Sequence, residues 1–148
     1  TYIPIEKLKY KSIQNSFKNE VSELSKKHKI ILIYPIPEVG LDPKRKIFVS
    51  RDNKFSKKNN LNYITTSYEV YKNRTKLSFE LLDSIQGDSI YRVYPHTLFC
   101  DKEIKNRCVT HDDKNIFYSD DDHPSLKGVE MINDLIMKEI EKIILNSN

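Results

Sequence analysis

The chain has 148 residues, 31% of them charged, with 25 Lys and Arg against 21 Asp and Glu for a net charge of +4. That length allows one domain with a real core and excludes two comfortable ones. The longest apolar run, IILIYPIP from Ile30 to Pro37, falls far short of the ~20 residues a membrane helix needs, so the chain reads as soluble. Its Lys-rich stretch, Arg51 to Asn60, lacks the interleaved aromatics of a nucleic-acid reader, so no nucleic-acid partner is expected. Beginning at Thr1 with neither an initiator Met nor a signal peptide, the chain reads as processed, trimmed or cut from something longer.

From Lys11 to Lys29 the apolar positions Ile13, Phe17, Val21 and Leu24 recur at helical spacing. The β-branched run that follows, closed by two prolines, reads as a buried parallel strand. Beyond it lies a polar stretch from Glu38 to about Asn62, with a short possible strand at Lys46 to Ser50. A second helix is predicted from about Ser67 to Gln86, with Val70, Arg74, Leu77, Leu81 and Ile85 on one side. SIYRVYP, Ser89 to Pro95, gives a second strand. After a cysteine-bearing loop, Leu126, Val129, Ile132, Ile136, Ile140 and Ile143 mark an amphipathic helix of about twenty residues. Two main strands are too few for a doubly wound sheet, which uses about five. An incomplete α/β domain follows, its earlier strands missing and its first strand in need of a partner.

The stretch YSDDDHPSLKG, residues 118–128, sets three aspartates beside a histidine at the mouth of the last helix. Asp120 and His123 are three apart, and a tight turn can bring such side chains together. The carboxylate then accepts a hydrogen bond from imidazole Nδ1–H and leaves Nε2 ready to take a proton from a hydroxyl nucleophile. A polar loop with a capped helix start explains the same residues, and spacing alone does not choose. Pro124 suits a helix start. GDS at Gly87 to Ser89 resembles a nucleophile turn, but it precedes a strand where such a turn should follow one, so Ser89 is expected to be a decoy. THDD, Thr110 to Asp113, and DDDH could offer metal ligands. Contiguous aspartates cannot all converge on one ion, however, and no metal is expected. His28 and His96 stand alone and are expected at the surface or in loops. Cys100 and Cys108 are too far apart for a C-x-x-C motif, and the spacing leaves a disulfide and two free thiols equally open.

Three features together resemble the C-terminal part of an SGNH hydrolase domain, of the type fused to membrane acyltransferases of the acyltransferase-3 family. They are IILIYPIPE, the loop LFCDKEIKNRC, and IFYSDDDHPSLKG before the final helix, in the family's order. The resemblance implies a flavodoxin-like three-layer α/β/α fold, of which residues 1–148 would be the C-terminal portion. It also implies acyl-ester chemistry, with His123 as general base and Asp120 as the carboxylate that orients it. The family's nucleophilic serine, and the Gly and Asn of its oxyanion hole, have no match here, and Pro124 stands where the family usually has Leu. The parent protein would be an acyltransferase that O-acylates, usually O-acetylates, cell-envelope glycan at the periplasmic face of a bacterial inner membrane. No cofactor is expected in this chain, since the acyl donor, acetyl-CoA, would be used through a fused or associated transmembrane domain. A periplasmic setting implies a Cys100–Cys108 bridge. Two other readings fit: a non-catalytic glycan-binding scaffold, and a free-standing secreted carbohydrate esterase.

Overall fold

The structure, a computed structural model, describes residues 5–45 and 64–146, with side chains from Tyr10 onward. The possible strand at Lys46 to Ser50 and the Lys-rich stretch lie outside the described residues. Helix α1 spans Ile5–Ser25, and strand β1, Ile30–Ile33, follows it. Next come β2, Thr65–Ser67, helix α2, Tyr68–Asp83, and β3, Ile90–Val93. A 3-10 turn at Pro95–Leu98, strand β4 at Arg107–Val109 and helix α3 at Leu126–Leu145 complete the order. Among the described residues no helix is long and apolar enough to cross a membrane.

β1 and β3 pair in parallel with Ile30 opposite Ile90 and Ile33 opposite Val93. The expected strand through Pro37 is shorter than predicted. Its last ladder bond is Tyr34 N–H to Val93 O at 3.0 Å, and Pro35 brings no N–H to continue it. The connection between these parallel strands carries α2, and α1 packs on β1 and α3 on β3. This is the mixed α/β architecture of a partial α/β/α domain. Lys29 Nζ reaches the Ile143 carbonyl at 3.3 Å, placing a cation at the C-terminal end of α3, where the helix dipole favours one.

Three expectations shift. α1 stops at Ser25 because Lys27 and His28 both bond back to the Leu24 carbonyl, tightening the last turn. Of its apolar stripe only Val21 is buried among the described residues, with Ile13, Phe17 and Leu24 exposed. In α2 the inward face is not the predicted one, although Ile85, just past the helix end, is buried as expected. Val70 and Leu77 are more than half exposed, while Tyr71 is buried at 4%, and Tyr68, Thr75, Phe79 and Leu82 share its face. The large rings decide the orientation, since they bury the most apolar surface. Arg74 stays outside and pairs with Glu38 at 2.5 Å.

β2 and β4 were not expected. They form a second, antiparallel pair with Thr65 opposite Val109, and Arg107 clamps it through Thr65 Oγ1 and Thr65 O, both at 2.9 Å. Here Cys100 and Cys108 are joined in a disulfide. Both lie in a core with Val39, Phe99, Val109, Phe117 and Tyr118. A second core under the parallel pair gathers Val21, Leu32, Tyr34, Ile85 and Ile90. His96, expected at a surface or loop, is buried at 8%. Its ring lies among Tyr68, Tyr71, Phe79 and Tyr94, and burial lowers its pKa. His28 is exposed.

Candidate functional site

The 119–123 turn is built by its own side chains. Asp120 Oδ1 accepts the backbone N–H of Asp122 at 3.1 Å and of His123 at 2.8 Å, the short-range carboxylate bonding that makes Asp a turn residue. The ends are closed by Ser119 N–H to His123 O at 2.8 Å and by bridge pairing of Tyr118 with Pro124. Two neighbours then fix the turn in space. The exit of β1 lies along it, with Val39 N–H at 2.7 Å and Gly40 N–H at 3.2 Å from the Asp121 carbonyl. Gly40 does this at φ +65°, a conformation glycine adopts without strain. The turn therefore sits beyond the carboxyl end of β1, where open α/β sheets bind ligands.

On the other side, α3 is pinned to the segment before the turn. Ser125 N–H donates to Phe117 O at 2.8 Å, and Ser125 Oγ donates to Ile116 O at 2.5 Å and accepts Gly128 N–H at 3.2 Å. Ser125 is thus the N-cap, and the helix begins at Leu126. Pro124 lies before the cap rather than in the first helical turn, because the serine hydroxyl supplies the capping acceptor that proline lacks. Gly128 is buried, and a Cβ there would come within 2.2 Å of the Phe117 carbonyl oxygen. The helix and the segment before the turn approach this closely only because position 128 carries no side chain.

The resulting geometry brings Asp120 and His123 together. Imidazole Nδ1 is 3.1 Å from both carboxylate oxygens of Asp120. Such a contact fixes the proton on Nδ1 and leaves Nε2 bare in the neutral ring. Nε2 has no hydrogen-bond partner among the described residues, and the His123 side chain is 72% exposed. A second carboxylate lies alongside, Asp122 Oδ1 at 2.8 Å from Nδ1. Backbone N–H bonds from His123 and Asp122, with the imidazole beyond them, hold the Asp120 carboxyl down at about 2. In return, the hydrogen bond and charge of Asp120, and then the charge of Asp122, raise the His123 pKa. The arrangement can accept a proton at Nε2 and stabilise the imidazolium that results. Both partners are well exposed, so water screens the attraction.

The other candidates fall elsewhere. Ser89 lies just before β3, with its carbonyl accepting Ile30 N–H at 2.8 Å. That is the amino end of the parallel pair, opposite the turn. Ser119 Oγ donates to Pro124 O at 3.3 Å, so the two serines flanking the turn both spend their hydroxyls on backbone. His111, from THDD, is buried at 5%. Its Nε2 accepts the Ile64 N–H at 3.1 Å and its Nδ1 faces the Asp112 carbonyl at 3.0 Å. Asp120, Asp122 and His123 can each bring one donor atom within 4.8 Å of the others. These are the same groups that hydrogen-bond and pair with one another, which accounts for their proximity without an ion. Sequence reasoning missed Asp122 as a partner of the ring and Gly128 as the point of close approach. The only available signals were the third aspartate itself and a glycine inside a helical pattern.

Compared with known families, residues 3–138 match a family model described as "SGNH domain (fused to AT3 domains)". Neither a curated protein nor a solved structure matches the chain.

Proposed function

Because the chain belongs to the SGNH domains that are fused to AT3 domains, we propose that it supplies the acid–base half of an acyl-transfer site, with His123 as general base and Asp120 as the carboxylate that orients it. One observation carries this reading: both oxygens of Asp120 face Nδ1 at 3.1 Å, so the uncommitted Nε2 of an exposed imidazole is the nitrogen left for chemistry. In this reading residues 1–148 are the C-terminal portion of one domain. A further segment of the parent protein completes the parallel sheet and brings the serine nucleophile and the oxyanion-hole donors.

The chemistry follows from the ring. Nε2 takes the serine proton as serine Oγ bonds to the acyl carbonyl carbon, and the imidazolium returns that proton to the leaving group. The same nitrogen then deprotonates an acceptor hydroxyl, whose oxygen attacks the acyl-serine and releases the serine. The acceptor proposed is a cell-envelope glycan and the acyl group acetyl, delivered from acetyl-CoA through the fused membrane domain. The site would then face the periplasm, a setting in which a disulfide such as Cys100–Cys108 persists. The core that buries that bridge also holds Phe117 and Tyr118, which lead into the turn, and this supports the preorganisation a general base requires.

The test is His123→Ala in the complete membrane-fused protein, reading acetyl transfer to glycan. Turnover is expected to fall by a factor of roughly 10⁴–10⁶ while the variant folds normally. Undiminished acetylation would leave the domain as a glycan-binding scaffold, with the chemistry done by the membrane domain.

A further inference from the structure

We propose that Asp122 is a second positioning carboxylate for His123, adding negative charge beside a ring whose direction Asp120 sets. The inference rests on reading His123 as the general base, and it concerns a residue that the Asp-x-x-His spacing leaves unspecified. Its basis is an unequal use of the two carboxylates. Asp120 Oδ1 serves three donors at once: two backbone N–H groups and Nδ1. That residue builds the turn as well as facing the imidazole, so part of its acceptor strength goes to the backbone. Asp122 accepts no hydrogen bond from the backbone among the described residues, and its Oδ1 is the nearer oxygen to Nδ1, at 2.8 Å against 3.1 Å.

The two contacts also differ in kind. The Nδ1–H is directed at both oxygens of Asp120, whereas Asp122 meets the same nitrogen as an ion-pair contact without a directed hydrogen bond. One carboxylate therefore decides where the ring points. The other deepens the negative potential felt by the ring once it is protonated. Within the reaction, that places two charges next to the imidazolium formed during acyl transfer and makes Nε2 a stronger base. Among the described residues, the charged groups acting on the ring come from this turn: Asp120, Asp122 and, more weakly, Asp121. The Asp122 side chain is 54% exposed, so its effect should weaken as salt screens it.

The experiment is an NMR titration of the complete protein, following the His123 ring protons and both ring nitrogens at low and high salt. Asp122→Asn is expected to displace the His123 midpoint downward by a few tenths of a pH unit at low salt and by less at high salt. Its Nδ1–H tautomer should be unchanged. Asp122→Glu should restore most of the displacement. Asp120→Asn should differ in kind, changing the tautomer balance as well as the midpoint. An Asp122→Asn midpoint that matches the unmodified chain at every salt concentration would overturn the inference, and so would a tautomer change in that variant. In the complete enzyme the acid limb of kcat/KM should follow the same displacement. The two ideas fail separately. Acetylation that survives His123→Ala removes the catalytic reading and leaves the titration standing, whereas an unmoved midpoint removes Asp122 and leaves His123 as base.

Discussion

In the turn from Thr110 to Asn115, Oδ1 of Asp112 accepts the backbone N–H groups of Lys114 and Asn115 at 2.7 and 2.6 Å. In the turn from Ser119 to His123, Oδ1 of Asp120 accepts those of Asp122 and His123 in the same way. The two turns share a local device and a composition of aspartates with one histidine. They differ in where the histidine stands. His111 precedes its aspartate, points into the protein, and commits both ring nitrogens to backbone groups. Because a backbone N–H only donates and a carbonyl only accepts, its neutral Nδ1–H tautomer is fixed. His123 follows its aspartate, lies in solvent, and commits only Nδ1. One histidine ties the chain together; the other leaves a nitrogen uncommitted. What distinguishes them is burial and the identity of the partners, not the residues in the turn.

The sharpest way to break this comparison is to exchange the losses. His123→Ala should abolish most acyl transfer in the complete protein and leave the unfolding midpoint of the chain unchanged at a pH above the raised His123 pKa, where its pairing no longer contributes. Next in size is Gly128→Ala, which forces α3 away from the Phe117 carbonyl on which the second turn rests. A destabilisation of about 1–3 kcal/mol is expected, measured by urea unfolding, because a backbone oxygen cannot swing aside as a side chain can. An unaltered midpoint would show that the helix does not seat that tightly. His111→Phe should act the opposite way to His123→Ala. It keeps an aromatic ring but leaves the Ile64 N–H without its acceptor, lowering stability by about 1–2 kcal/mol. Activity per folded molecule should be retained, and a large loss of turnover would mean that the first turn is also part of the site.

The smallest effect is the pH linkage of the second turn. His123 titrates above its ordinary 6.5 when folded, so its pairing stabilises the chain below that value and is lost as pH rises through the folded pKa. Asp120 is held down at about 2 from an ordinary 3.8. Its contribution is present above 3.8 and is lost as pH falls toward 2. Both are present between about 4 and 6.5, and Asp120→Asn should flatten the stability profile at both edges of that window, most clearly at low salt. A stability profile unchanged by that substitution would remove the pairing as a stabilising contact. With His123 as the proposed general base, activity should run against the first of these trends, since such a base works only once its imidazole has lost the proton.

Much of this was readable along the chain. The helix from Leu126 follows from its apolar stripe, and the proline stops of β1 and β3 follow from the missing N–H. The proximity of Asp120 and His123 follows from a spacing that a single turn can close. The inward face of α2 differs from the expected one over most of its length, because the stripe of Val70, Arg74, Leu77, Leu81 and Ile85 looks continuous while the buried surface belongs to Tyr71 and Phe79. Only Ile85, past the helix end, is buried as expected. The β2–β4 pair was invisible, since Thr65–Ser67 and Arg107–Val109 are too short to show alternation. His96 was placed outside because an isolated histidine carries no pattern that reports the four aromatic rings around it.

The sequence by itself determined the local chemistry: a carboxylate able to reach the N–H groups two and three residues on, a serine to cap the final helix, a β-branched strand ended by proline. Such contacts span a few residues and need only the short-range geometry of the backbone. Only the tertiary structure decided which histidine would meet solvent and why position 128 must be glycine. Those outcomes depend on groups brought together from far apart, as His111 Nε2 and Ile64 N–H are across 47 residues. Closing such a loop costs entropy that packing must offset, so its result is set by the whole core and not by the residues at its ends.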